Sequence, residues 1–198
     1  MEKQRRPGGR TARVQDAIFS ALLEELVAKG YSGLSIVEIA ERADVHRSTI
    51  HRRWEKLDDL LVAALASLTE TPVYPEDTGD LLEDLTRYAQ GIAAMLNGPA
   101  GRILRAVIVP EVFALPGVQE LKQRLFLGRR ELSDAIIRRA IDRGQIPAQT
   151  VPSDAIDYLV APLYFRLLLE QGPLYAALAK QSAVATDSAA RAGSFCPR

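Results

Sequence analysis

The sequence predicts an all-α fold in two modules, with about nine to ten helices in all. Apolar residues recur at helical spacing along nearly the whole chain, and no stretch sustains the alternation of a strand. Breakers fall between these periodic runs, at Gly30, at Asp44, through "TETPVYPEDTGD" (69–80), and at Pro110 and Pro152. The charge is also unevenly divided. Residues 1–56 hold 11 Lys and Arg against 8 Asp and Glu, whereas residues 57–198 hold 14 against 17. A basic front on an acidic back suggests a module that faces polyanions, joined to one with a different task.

Helix 1 is predicted over about 11–29, where Val14, Ala17, Ile18, Ala21, Leu22 and Leu26 form one stripe and Gly30 supplies a left-handed C-terminal cap. Helix 2 opens where Ser35 and Glu38 fit the reciprocal capping box, with Leu34 and Ile39 as its hydrophobic staple. It runs through Ile36, Ile39, Ala40 and Ala43 and breaks at Asp44-Val45, since Asp tolerates left-handed geometry. Helix 3 occupies about 46–53. At about 100° per residue, Ile50 and Trp54 stack on one side while Ser48 and Arg52 point the opposite way. Thr49 and Arg53 flank one edge, and Arg47 and His51 the other. Two short helices joined by a tight turn, the second displaying Arg, Ser, Thr and His, describe a helix-turn-helix. Such side chains suit base edges: Arg forks onto guanine, the Thr methyl meets the thymine methyl, and Ser bonds either partner. The plainer alternative is a solvated helix face with no partner.

Helix 4 follows from Leu57 to about Ser67, with Asp58 and Asp59 in a first turn whose dipole favours anions. Helix 5 spans about 80–96 and ends at Asn97-Gly98; helix 6 begins at Pro99 and stops before Pro110; a short helix 7 covers about 110–115. Helix 8, about 117–143, carries Val118, Leu121, Leu125, Leu132, Ala135, Ile136 and Ala140 along one side. Helix 9 is predicted after Pro152 with Ser153 as cap, and "IDYLVAPLYFRLLL" is apolar nearly all round. A helix of that kind is buried on more than one side, and pairing with a second copy accounts for it better than a monomer does. Pro162 within it is expected to kink the helix or leave a carbonyl unpaired. After about Lys180 large apolar residues become scarce, and the tail is expected to fray.

Several functions are excluded by what the chain lacks. Cys196 is the only cysteine, so no intramolecular disulfide forms, and a reducing, cytoplasmic setting is expected. The basic N-terminus has no apolar signal region, and no apolar run approaches the ~20 residues of a membrane span. "YLVAPLYF" at 158–165 is fenced by Asp157 and Arg166. His46 and His51 are five apart, off one helical face and without a third ligand, so no metal is expected. No nucleophile–base set and no phosphate-binding glycine loop stands out, and "RPGGR" at 6–10 reads as flexible linker. Neither enzymatic activity nor a cofactor is expected.

The run "GYSGLSIVEIAERADVHRSTIHRRWEKLDDLLVAAL" resembles the DNA-binding domain of the tetracycline-repressor (TetR/AcrR) family. The resemblance is carried by Tyr31 after Gly30, Ser35 opening helix 2, "IAERADV" at the turn, Thr49-Ile50, Trp54, Lys56 and "DDLL". Departures are Asp44, His46 and His51, where the family usually has Gly, Ser or Thr, and Tyr. The resemblance implies that Arg47, Ser48 and Arg52 read base edges, with Thr49 and His51 sharing base or phosphate contacts. It also implies that Ser35, Arg53 and Lys56 hold phosphates. Arg5, Arg6 and Arg10 would add electrostatic affinity or enter a minor groove. The "VAPLYFRLLLEQGPL" stretch is similar to the family's C-terminal regulatory domain and implies a homodimer through helices 8 and 9, matched to a palindromic operator in double-stranded DNA. A small-molecule effector is implied among helices 4 to 8, with Tyr88, Met95, Arg102, Arg105, Phe113, Tyr158 and Tyr164 as candidate liners. The expected organisation is a flexible basic arm (1–10), a helix-turn-helix domain (11–56), an effector-binding and dimerisation domain (57–181) and a disordered tail (182–198). The expected activity is that of a ligand-released repressor. The alternatives are a ligand-independent regulator or activator, a helical enzyme and a protein adaptor.

Overall fold

A computed structural model describes residues 9–67, 73–108 and 110–197. Among them the order is α1 (Gly9–Lys29), a 3-10 turn (Tyr31–Gly33), α2 (Ile36–Arg42), α3 (Arg47–His51), α4 (Leu57–Ser67), α5 (Leu81–Asn97) and α6 (Pro99–Val107). There follow α7 (Pro110–Phe113), α8 (Pro116–Asp142), α9 (Pro152–Phe165), a π-helical turn (Arg166–Glu170) and α10 (Ala176–Arg191). No strand occurs among the described residues. The chain divides into two compact units, residues 1–70 with 106–121, and residues 71–105 with 122–198. The first unit thus takes in α4, which the sequence reading had assigned to the second module.

In the first unit, α1 packs on α2 and α4, and α2 on α3, with Ile18, Phe19, Leu22 and Leu26 of α1, Ile39 of α2, Ile50 of α3 and Leu60, Leu61 and Ala64 of α4 all buried. Burying each such aliphatic side chain stabilises the fold by about 1.5–3 kcal/mol before entropy is counted. Arg10 already lies within α1, so the arm expected over 1–10 gives way to helix by Gly9; Arg5 and Arg6 lie outside the described residues. Gly30 has φ 71° and ψ 176°, a region open essentially to glycine alone rather than the left-handed helical cap expected. The α4 helix and the start of α8 approach closely: a Cβ on Gly117 would stand 2.9 Å from a Val62 methyl.

The second unit is built on α5, α9 and α10, with Leu85, Ile92, Leu96, Leu159, Leu163, Ala179 and Ala183 in one core joined by Ile136, Ile137 and Ala140 of α8. Arginines strap the 73–80 segment to this core. Arg143 meets Asp77 at 2.5 Å, Arg87 meets Glu76, and buried Asp84 accepts from Thr78 N and Oγ1 at 2.8 and 2.7 Å.

Two expectations are corrected here. The tail expected to be disordered from 182 is α10, which buries Ala179, Ser182, Ala183, Thr186, Asp187 and Ala190. Its residues are small because α10 lies close against α5 and α9: Ser182 Oγ donates to the Leu159 carbonyl at 2.5 Å, which no larger side chain would allow. Ser153 is not the cap of α9. Val151 holds that position and Pro152 takes the first helical turn, where its missing N–H and fixed φ cost nothing. Pro162 lies inside α9 as expected, and one π-helical turn follows it from Arg166.

Candidate nucleic-acid interface

The turn between α2 and α3 is fixed by local backbone chemistry. Ser35 caps α2 by accepting from Val37 N at 3.3 Å. Only half of the expected capping box forms, because the Glu38 carboxylate pairs with Lys29 Nζ at 2.9 Å instead of turning back to Ser35. At the other end Asp44 takes φ 52°, Asp44 N donates to Glu41 O (3.2 Å) and Val45 N to Ala40 O (3.0 Å). This pair of bonds is the Schellman arrangement, with Asp44 where glycine usually stands. It turns the chain sharply into α3, where Thr49 N donates to the His46 carbonyl at 2.8 Å.

α3 has five helical residues and buries Ile50 completely. His46, Arg47, Ser48, His51, Arg52 and Arg53 are exposed, and Thr49 is half-buried. Trp54 continues the anchored side, half-buried with its ring 5.6 Å from that of Phe19. The donor-bearing face therefore looks outward while Ile50 and Trp54 hold its back. Lys56 is exposed at the cap of α4; its amide is accepted by Asp59 Oδ2 at 3.2 Å, leaving its ammonium turned to solvent. Tyr31 Oη donates to Asp58 Oδ1 at 2.6 Å, and this bond, with burial, raises the phenol to about 12.

Behind the interface, nearly buried Glu25 lies between Lys29 (2.8 Å) and Arg42 (2.6 Å), whose charges hold its carboxyl below the usual range despite burial. Arg42 also meets Glu24 at 3.1 Å. Its charge is spent within the unit, unlike the cations on α3.

All the candidate effector liners except Phe113 lie in the second unit. Tyr88 is buried in the core, Met95 and Tyr164 are half-buried against it, Arg105 is half-buried and Arg102 exposed. Tyr158 is 51% exposed and lies against Phe195. Phe113 belongs to the first unit, and its side chain lies outside the described residues. A groove of about 450 Å³ runs along the outer side of α10, lined by Ala177, Lys180, Gln181, Val184 and Ala185. On α9, Tyr158, Ala161 and Phe165 are exposed, Pro162 is too, and Leu169 on the π turn is 71% exposed. Sequence reading named helix 9 as a pairing helix but missed the α10 face, because it took most of α10 for a tail. Among the described residues no group of three His, Cys, Asp or Glu could hold a metal, and no helix is long and apolar enough to cross a membrane.

Residues 18–64 match the bacterial regulatory proteins of the tetR family, and residues 75–186 match the tetracyclin repressor-like C-terminal domain. The chain belongs to the TetR family. It is a helix-turn-helix transcriptional regulator of that family, and the matched N-terminal segment runs from within α1 into α4. It is 30% identical over 157 residues to the HTH-type transcriptional regulator Mb1581 of Mycobacterium bovis, covering 79% of this chain and 77% of that one. Among solved structures, FadR of Bacillus subtilis, in complex with stearoyl-CoA, superposes with TM-score 0.70 at 16% identity, over 87% of this chain and 97% of that one. MexZ, a repressor of Pseudomonas aeruginosa, does so with TM-score 0.68 at 19% identity, over 93% and 98%. Both show the same fold.

Proposed function

We infer that this TetR-family regulator is a dimeric, non-enzymatic repressor that reads a palindromic operator through α3 and leaves it when a small molecule occupies the second unit. The observation that carries the reading is the outward face of α3. Arg47, Ser48, His51 and Arg52 are exposed on a helix whose Ile50 is wholly buried, which suits a rigid face entering the major groove. Arg47, Ser48 and Arg52 take the base edges, Thr49 and His51 share base and phosphate contacts, and Ser35, Arg53 and Lys56 hold phosphates. Ser35 uses an oxygen lone pair on Val37 N, so its hydroxyl hydrogen remains for a phosphate.

The second copy docks on α9 and α10. α9 and α10 pack on each other, and both carry exposed apolar residues, Tyr158, Phe165 and Leu169 on α9 and its π turn and Val184 in the α10 groove, whereas Glu131 and Arg138 make the described outer side of α8 charged. This moves the pairing surface one helix along from the helices 8 and 9 expected. A symmetric dimer reading one palindrome needs its two copies of α3 about 34–36 Å apart, one turn of DNA. FadR, of the same fold, carries stearoyl-CoA, which supports a small-molecule effector for this chain too.

Selection of bound duplexes from a random pool with the purified protein tests the reading. The expected product is a palindrome. A selected site without two-fold symmetry, or none at all, would overturn it.

A further inference from the structure

Gln15 and Phe19 lie one turn apart on α1 and both reach the end of α3. Phe19 is buried and meets the Trp54 ring at 5.6 Å and 52°. Trp54 in turn lies under the Arg53 guanidinium, whose carbon is 6.0 Å from the ring centre. Gln15 Oε1 accepts from Arg53 Nη1 at 3.3 Å. The guanidinium is thus held at its face and at one of its five N–H groups, and the others stay available to a ligand. The acceptor is an uncharged amide. Arg42, by contrast, is gripped by two carboxylates that cancel its charge. An arginine meant only to tie α1 to α3 would do so better with a carboxylate partner; one meant to present its charge needs a neutral one.

We propose that Gln15 is a positioning residue for DNA binding, holding the Arg53 guanidinium against Trp54 in the attitude that meets a backbone phosphate. This rests on the DNA-binding reading above. Ordering an exposed arginine costs affinity at the moment of binding, and a side chain already held avoids most of that loss.

The test is a double-mutant cycle on the full chain, using the duplex that the unmodified protein selects from a random pool and an unrelated duplex, with affinity followed against salt. Gln15→Ala is expected to weaken both duplexes by about three- to tenfold with an unchanged unfolding midpoint. Gln15→Glu is expected to weaken them more, its carboxylate cancelling the arginine and repelling the phosphate. Arg53→Ala is expected to lower the salt slope by about one, and Gln15→Ala added to it should cost nothing further. Wild-type affinity for Gln15→Ala, a loss that persists in the Arg53→Ala background, or one tracked by a fall in the unfolding midpoint would each overturn the proposal while leaving DNA binding intact. An unmodified protein that holds no duplex would overturn both.

Discussion

Tyr31 donates its phenolic hydrogen to Asp58 across 27 positions of sequence, tying the turn after α1 to the first turn of α4. Tyr31→Phe removes only the donor and leaves a half-buried carboxylate without it, at a cost of about 1.5 kcal/mol. The bond also makes stability depend on alkaline pH. The folded phenol titrates near 12 and the unfolded one near its ordinary 10.0. The contribution is therefore whole below pH 10 and is lost as pH rises through about 12. Denaturant titrations between those limits should show stability falling faster in the wild type than in Tyr31→Phe.

Gly30 adopts φ 71° and ψ 176° with open space where a Cβ would go. Any penalty for Gly30→Ala is thus backbone strain, about 2 kcal/mol. Asn, which eases a true left-handed turn, should give little relief, because the strain lies in ψ. Equal unfolding midpoints for Ala and Asn, both below wild type, are the expected result.

Arg52 is exposed at the end of α3 and Lys56 at the cap of α4, and their proposed roles separate cleanly in binding data. Arg52→Ala should flatten preference among duplexes by about 1–3 kcal/mol at one base position. Lys56→Ala should weaken every duplex and lower the salt slope by about one. If Lys56→Ala changed sequence preference with the slope intact, the two assignments would have to be exchanged.

Ala183 is fully buried on α10. Ala183→Leu forces bulk into a close helix contact and should cost about 1–3 kcal/mol, seen as a lower midpoint in thermal unfolding. A chain cut after Lys180 should lose cooperative unfolding of the second unit, whereas removal of a frayed tail would leave it untouched.

Phe165→Glu and Leu169→Glu place charge on the exposed apolar side of α9 and its π turn. Each should yield monomers by light scattering with helix content retained. Dimers surviving both changes would move the pairing surface elsewhere.

The parts of the fold legible in sequence were those written in local chemistry. Helical spacing gave every helix from α1 to α9 to within a few residues, and Ser35, Asp44 and Asp58–Asp59 marked ends that the backbone then used. The outward side of α3 was legible too, because Ile50 and Trp54 are apolar among polar and charged neighbours. What sequence reading missed depends on partners distant in the chain. Glu38 left its box for Lys29, and Gln15 gained a role only once α1 lay behind Arg53. The α10 helix was invisible because its core residues are Ala, Ser and Thr, which burial patterns drawn from large side chains do not register.

That small-residue helix also sets a timetable. The α1–α4 contacts join neighbours in sequence, but α10 must find α5, with four helices made in between. Contacts spanning so much chain are slow to form, so the DNA-reading helices should assemble first. Until α10 arrives, the inner side of α5, with Leu85, Ala89 and Ile92, stands open to water and to aggregation.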